Sequence, residues 1–455
     1  MKSWQDGKGF SRAVGILAGS TALGHLVTAV ALPFVTRLYT PADFSSLAAF
    51  SAVVGVIGVA ACLRFDIAIP IPTRTAEAAN LLSLSLLVAG SISVALALIL
   101  WLFGQQLTAL FGDRLSPSQM LLVPINVMVL ASYSALQGWL LRDCLFDTLA
   151  RAKVGQSVAS AGAQLGLGWQ GLGATGLMLA NVIYIGGSSL WLGWRGAGQH
   201  ANMLRRVSIR RMIALGRRYD RFPKYSTLEA LANSASIQVP LLLIAAWAVG
   251  PEAGLLLLAM QVMQAPMAVL GNAVGQVYLS QAPAAHRDGK LAAFTAEVVR
   301  KLLRLGTGPL IFAGIVAPHV FPLLFGPAWA RSGWLVSWMT PWFIAQFVAS
   351  PVSMALHLTG RQRTALLLQA LGLTVRILAV AIAAQAVPSF IAESYAVSGL
   401  LFYAVYFAVV LRVTRVRLGD LCPGMARTVA VTSAWLVGGT VVAWAAVMLP
   451  RWPLA

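Results

Sequence analysis

Thirteen long apolar stretches, separated by short polar gaps, dominate this chain of 455 residues. A helix needs roughly 20 apolar residues to cross a bilayer. The chain is 58% hydrophobic and only 10% charged, which is too little charge to cover a soluble protein of this length. The sequence therefore predicts an all-α integral membrane protein. The predicted spans are residues 13–35, 44–63, 78–103, 119–140, 154–170, 172–194, 226–249, 253–279, 302–325, 333–357, 364–386, 390–411 and 427–449.

The 33 lysines and arginines are distributed very unevenly. When alternate gaps are assigned to alternate sides, 28 lie on one side, four on the other, and Arg376 lies inside a span. This bias marks the cytoplasmic side and predicts a cytoplasmic N-terminus. It also supports the fifth span, which polar residues dilute, because deleting that span would place the most basic gap outside. Membrane orientation explains the net charge of +19 without a nucleic-acid partner.

The most basic gap, residues 195–225, predicts a cytoplasmic connector with an amphipathic helix on anionic lipid headgroups. It divides the chain into four predicted regions. These are an N-terminal six-helix bundle at 1–194, the connector at 195–225, a C-terminal six-helix bundle at 226–411, and a basic loop with an extra helix at 412–455.

The two predicted bundles have similar outer turns. Pro41 and Pro251 are separated by 210 residues, and Phe111 and Phe325 by 214. An offset that covers six spans keeps the same orientation. The sequence thus predicts a parallel repeat of two bundles around a central cavity.

Arg376 lies near the middle of the eleventh predicted span. A charged residue at that depth costs at least about 2.5–3.5 kcal/mol on insertion, so it usually faces a cavity or a partner. One interpretation is a cavity cation for an anionic substrate group, because guanidinium matches phosphate bidentately. The other is a tether between helices, bound to carbonyls or to Gln369.

Polar side chains in the seventh and eighth spans form a second candidate site. Several share one helix face, which favours a water-filled cavity wall, although each residue alone fits an interhelical hydrogen bond. These candidates are Asn233, Gln238, Gln261, Gln264, Asn272 and Gln276. Pro33 and Pro240 interrupt spans and are candidate bending points.

The chain carries no recognisable catalytic, metal or cofactor motif. Its three cysteines lack CxxC spacing, so neither a disulfide framework nor a metal site is expected. No carboxylate lies in the middle of a predicted span.

Six segments together resemble polysaccharide flippases of the multidrug/oligosaccharidyl-lipid/polysaccharide exporter superfamily, in the O-antigen and exopolysaccharide branch. They are TRLYTPADF at 36–44, LRFDIAIP at 63–70, YDRFPKYS at 219–226, QVP at 238–240, GNAVGQV at 271–277 and LFGPAW at 324–329. The resemblance covers residues 10–411. This chain has Gln261 where relatives usually have an arginine, and 427–449 exceeds the family's twelve spans.

The resemblance implies a transporter rather than an enzyme, in the bacterial inner membrane. Its substrate would be an undecaprenyl-diphosphate-linked oligosaccharide, flipped by alternating access for lipopolysaccharide or exopolysaccharide biosynthesis. A polysaccharide polymerase and a chain-length regulator are further candidate partners. Arg37, Asp43, Arg64 and Asp66 match the family pattern and would be either ligands or gate or fold contacts. Arg64 is also a candidate substrate contact.

Two other functions stay open at this stage. A multidrug exporter with the same fold is expected to use an embedded acid for ion coupling. A membrane glycan polymerase or glycosyltransferase needs large outer loops, whereas the outer gaps here are short.

Overall fold

The chain folds into long helices joined by short turns. A computed structural model describes residues 7–110, 115–204 and 207–448, and these residues contain thirteen helices of 20 residues or more and no strand. They are α1 (Gly7–Leu38), α2 (Pro41–Ala60), α3 (Thr75–Leu110), α4 (Leu122–Arg142), α5 (Phe146–Trp169), α6 (Gly173–Leu204), α7 (Thr227–Trp247), α8 (Glu252–Arg287), α9 (Leu291–Phe325), α10 (Ala330–Val352), α11 (Gln362–Ala386), α12 (Ile391–Thr414) and α13 (Met425–Met448). The predicted all-α fold is confirmed.

Ten of the helices in the described residues are long and apolar enough to cross a membrane. The chain is therefore a multi-pass membrane protein. The three long helices outside this group are α5, α8 and α10. In α5, the reason is the polar side chains that already weaken the fifth predicted span.

Helix α5 runs beside α1 in the same direction. Near one end, Lys153 Nζ donates a hydrogen bond to Thr21 Oγ1 at 3.3 Å. Near the other, Gly168 packs on the ring of Tyr39, and an added Cβ there would lie 2.8 Å from that ring. Two helices that cross the membrane in the same direction would have this arrangement. The charge-based topology predicts the same direction for the first and fifth spans.

The chain forms two compact units, Met1–Trp247 and Ala248–Ala455. The sequence places the start of the second bundle at residue 226, whereas the contacts group α7 with the first unit. The reason is close packing on α2: Ser234 Oγ donates to the Gly55 carbonyl at 2.8 Å. A Cβ on Gly55 would lie 2.6 Å from Gln238 Nε2, so the missing side chain permits this approach. The repeat-based division stays a prediction.

The turn between α1 and α2 is fixed by a capping box. Thr40 N donates to Asp43 Oδ2 at 2.8 Å, and Asp43 N donates to Thr40 Oγ1 at 3.2 Å. Such reciprocal bonds satisfy backbone groups that the first helical turn leaves unpaired. Tyr39 also fixes this turn, because its hydroxyl donates a hydrogen bond to the Gln164 carbonyl at 2.8 Å.

The connector contains an amphipathic helix, Ile209–Arg218. Its buried face, Met212 and Leu215, packs on α3. Asn80 Oδ1 accepts a hydrogen bond from Ser208 N at 3.0 Å. The helix is therefore fixed to the start of α3.

Helix α13 packs along α9 in the second unit. Phe312 and Trp435 meet edge to face, with ring centroids 5.5 Å apart. Gly308 lies against Trp435, and Gly439 lies against Ile315. Residue numbers rise together on both helices, so α13 runs parallel to α9. This is the arrangement of a further crossing helix, which agrees with a thirteenth span.

Candidate functional site

The predicted substrate-path residues fall in both compact units. The first unit contains Arg64, Asn233 and Gln238, and the second contains Gln261, Gln264 and Arg376. The side chains of Asn272 and Gln276 lie outside the described part of the structure.

Arg376 is buried among aromatic rings within the second unit, with only 3% of its surface exposed. Its guanidinium carbon lies 4.6 Å from the ring centroid of Phe402, 5.8 Å from that of Tyr403 and 5.9 Å from that of Trp342. The guanidinium also hydrogen bonds with the Tyr403 hydroxyl. A desolvated cation on such rings gains about 2 kcal/mol or more.

These rings belong to α10 and α12, whereas Arg376 belongs to α11. The side chain therefore links three helices. The described contacts of this link are aromatic rings. The tether to carbonyls or to Gln369 that the sequence suggests stays a prediction. A role as a cavity cation needs the rings to move away from the guanidinium, and that role stays a proposal.

The polar residues of α7 and α8 differ in their surroundings. Gln261 is half-buried and Gln264 is exposed, both on α8. On α7, Gln238 is half-buried over Gly55 in the contact with α2. Asn233 is exposed, and its carbonyl accepts a hydrogen bond from Ser236 Oγ at 2.7 Å. A shared polar wall is still a prediction.

Arg64 and Asp66 lie in the turn between α2 and α3. Leu63 and Arg64 have φ angles of 45° and 59°, and left-handed backbone at residues other than glycine costs about 1–3 kcal/mol each. Gly138 packs on the Asp66 carbonyl, where an added Cβ would lie 2.6 Å from the oxygen. Burial raises the pKa of the Asp66 carboxyl, and the positive charge of Arg64 opposes that rise.

The residues proposed for gates or structure occupy helix ends and helix interiors. Asp43 completes the capping box described above, which gives it a structural role at the outer turn. Arg37 is exposed in the last turn of α1. Pro33 and Pro240 lie inside the continuous helices α1 and α7. Whether these prolines bend during transport stays a prediction.

The second unit contains a charged cluster that was not predicted from the sequence. Arg331 Nε lies 3.1 Å from Glu252 Oε1, and Arg331 Nη1 lies 2.7 Å from Glu393 Oε1. Arg331 Nη2 also donates to the Ser389 carbonyl at 3.1 Å. The cluster joins the first turns of α8, α10 and α12. The signal in the sequence was Arg331 itself, one of only four basic residues assigned to the outer side.

Among the described residues, no group of three or more His, Cys, Asp or Glu side chains is placed to hold a metal ion.

Residues 34–333 match the family of polysaccharide biosynthesis proteins. The chain belongs to that family. The resemblance inferred from the sequence is thus confirmed at the level of the family. No curated protein matches the chain.

Solved structures show the fold that this polysaccharide biosynthesis protein shares. The lipid II flippase MurJ in an inward closed conformation has a TM-score of 0.72 at 12% identity, covering 95% of this chain and 91% of MurJ. An inward-facing multidrug resistance MATE family transporter of the MOP superfamily has a TM-score of 0.65 at 14% identity, covering 87% of this chain and 95% of that one. At these identities the likeness shows the fold alone.

The family match ends before α11 begins. Arg376 therefore lies outside the matched residues. Gln261, in contrast, lies inside the match.

Proposed function

We propose that this polysaccharide biosynthesis protein is a flippase for an undecaprenyl-diphosphate-linked oligosaccharide. It would move this substrate from the cytoplasmic to the periplasmic leaflet of the bacterial inner membrane, by alternating access, for O-antigen or exopolysaccharide assembly. A polysaccharide polymerase and a chain-length regulator would act on the delivered glycan.

The observation that carries the proposal is the joint result of the two comparisons. The family match concerns polysaccharide biosynthesis, and the fold is similar to that of a lipid II flippase. The outer gaps between the predicted spans are short, which favours transport over a glycan polymerase or glycosyltransferase with large outer loops.

Arg376 is the proposed contact for the diphosphate. A guanidinium offers parallel N–H donors that match phosphate oxygens. In the present geometry the aromatic rings contact this cation, and their attraction offsets part of the cost of keeping it in the membrane. Release of the ring of Tyr403 or Phe402 would expose the guanidinium to the substrate. Gln261, Gln264, Asn272, Gln276, Asn233 and Gln238 would hydrate the sugar path.

The cytoplasmic mouth is proposed to involve Arg64. The strained turn holds this residue next to Asp66, at the side assigned to the cytoplasm. Arg37, Asp43, Pro33 and Pro240 would act as gate or structural residues.

The connector helix is proposed to rest on anionic lipid headgroups. Met212 and Leu215 are buried, whereas Ile209 and Ile213 are 70% and 54% exposed. Arginines flank the exposed isoleucines, which is typical of a helix at the membrane surface.

Reconstituted protein tests the function. Proteoliposomes would contain an undecaprenyl-diphosphate oligosaccharide with a fluorescent label on the sugar, and a membrane-impermeant quencher would measure how much label changes leaflet. We expect wild-type protein to accelerate this transfer and Arg376→Ala and Arg376→Glu to abolish it. The matched control is Arg363→Ala, an exposed position on the same helix.

Two results would contradict the proposal at different levels. If wild-type protein moves no labelled lipid but lowers drug sensitivity when expressed, the multidrug alternative is correct. If Arg376→Ala and Arg376→Glu both transport fully at normal protein levels, the flippase function stands and the assignment of Arg376 is wrong.

A further inference from the structure

A cavity of about 600 Å³ lies within the second unit, between α11 and α12, with Trp338 of α10 at its edge. Short side chains on one wall, including Ala379 and Ala383, leave the space between the helices open. Val397 and Leu401 face it from α12. This volume is within the range of small-molecule sites, which are mostly apolar with a few polar groups.

One buried carboxylate lines this otherwise apolar cavity. Glu393 is 3% exposed, and its Oε1 contacts Arg331 Nη1 at 2.7 Å. Its Oε2 has no hydrogen-bond partner among the described residues. Arg331 also donates hydrogen bonds to the Glu252 carboxylate, at 3.1 and 3.4 Å. One guanidinium therefore faces two carboxylates, which leaves the cluster one negative charge in excess when both are ionised.

We propose that this cavity binds an amphiphilic ammonium compound, with the ammonium group at Glu393 and the hydrocarbon chain between α11 and α12. A buried charge needs a partner, and Arg331 alone does not balance both carboxylates. Trp338 and Phe390, which are 48% and 52% exposed, supply aromatic faces of the kind that bind ammonium groups. An anionic compound would be repelled by the excess charge, and a neutral one would leave it unbalanced.

This site differs from the proposed flippase site. It lies between α11 and α12 beside Glu393 and involves neither Arg376 nor the polar residues of α7 and α8. Its test does not depend on transport, so failure of either proposal is distinguishable from failure of the other.

Equilibrium binding of radiolabelled decyltrimethylammonium to the full-length protein tests the inference. The protein would be in nanodiscs of phosphatidylglycerol, which contains no ammonium. We expect saturable binding to wild-type protein, with competition by unlabelled compound. The carbon isostere, in which carbon replaces the ammonium nitrogen, should compete at least about 10-fold less well, because a contact with a charged group is lost.

Four variants test how the charge, the aromatic face and the open space of the cavity contribute to binding. Glu393→Gln should weaken binding at least about 10-fold, because it removes the negative charge beside the cavity. Glu252→Gln removes the other carboxylate on Arg331, which does not line the cavity, and should weaken binding less. Trp338→Leu leaves the charged cluster intact and should still weaken binding, because it removes an aromatic face. Ala383→Trp should block binding, because the larger side chain fills the cavity.

Equal binding of the cation and its isostere, or unchanged affinity in both Glu393→Gln and Trp338→Leu, would overturn the inference. A repeat in phosphatidylethanolamine nanodiscs identifies the source of the ammonium. Weaker binding there indicates that a lipid headgroup occupies the site, and unchanged binding indicates a free amphiphile.

Discussion

The guanidinium of Arg376 lies over the ring of Phe402, with 4.6 Å between its central carbon and the ring centroid. The contact places a permanent positive charge inside a helical bundle, against three aromatic rings. It joins α11 to α12, and Trp342 on α10 completes the arrangement. Both the structural role and the proposed phosphate contact depend on the planar shape of guanidinium, which gives the first prediction.

Arg376→Lys should not replace arginine. An ammonium group is a strongly hydrated point charge, which neither stacks on rings nor binds phosphate in the same bidentate way. We expect this variant to fold less stably by about 1–2 kcal/mol and to lose labelled-lipid transfer. Arg376→Met removes the charge but keeps apolar bulk, and it should recover stability while transfer stays lost. Thermal unfolding and the proteoliposome assay measure the two effects, and recovery of transfer in Arg376→Met would exclude a phosphate contact.

The number and course of the long helices were accessible from the sequence, because each needs one apolar run. Thirteen predicted spans correspond to thirteen described helices. The surroundings of Arg376 were not accessible, because Trp342 and Phe402 come from other helices and their apolar side chains give no sign of a cation beneath them. The same holds for Glu393, whose partner Arg331 is 62 positions earlier in the chain. Such contacts depend on side-chain packing between helices, which periodicity does not encode.

Gly308→Ala should loosen α13 from α9. An added Cβ would overlap the Trp435 ring, and overpacking of this kind costs about 1–3 kcal/mol. The matched control is Gly438→Ala on α13, where nothing lies within 4 Å. That change should be neutral or stabilising, because alanine favours helix over glycine. Thermal unfolding of both variants measures the difference.

Trp435→Ala separates crowding from other effects of Gly308→Ala. If crowding against the indole is the cause, the double variant should lose less stability than the sum of the two single variants. Simple additivity would show that Gly308 acts through something other than this contact.

The C-terminus should lie outside the cytoplasm. Helix α13 runs parallel to α9, and an odd number of crossings places the two ends of the chain on opposite sides. A periplasm-dependent reporter such as alkaline phosphatase should be active when fused after α13. The control fusion after α12, at residue 416, should be inactive. Inactivity of both fusions would show that α13 does not cross, and activity of only the second would show that the orientation of the chain is reversed.

Lowering the pH should change the contributions of two aspartates to folding stability in opposite directions. Burial raises the pKa of Asp66, so the fold favours the protonated carboxyl. This contribution to folding stability is complete below the unfolded pKa of about 3.9. It is lost as the pH rises through the pKa of the folded state. Asp66→Asn should therefore be more stable than wild type at neutral pH, with a difference that shrinks on acidification. A constant difference would show that Asp66 does not titrate in this way.

Asp220 is the matched control for this experiment. The hydrogen bond from Lys224 lowers the pKa of Asp220, so its contribution is present above the unfolded value and is lost as pH falls through the folded one. Asp220→Asn should be slightly less stable than wild type at neutral pH, and equal to it in acid. Both aspartates lie outside the long helices, so thermal unfolding of one protein preparation across pH compares them directly.

The connector helix should make transport depend on anionic lipid. Its basic residues lie beside the exposed Ile209 and Ile213, and each arginine near an anionic surface contributes about 1 kcal/mol, an attraction that salt screens. We expect wild-type transfer to be faster with phosphatidylglycerol than in purely zwitterionic vesicles, and the advantage to fall as salt rises. Arg210→Gln combined with Arg211→Gln should remove the advantage. Arg287→Gln, an exposed position at the end of α8, should keep it. If Arg287→Gln removes the advantage equally, overall charge attracts the lipid and the connector helix has no special part.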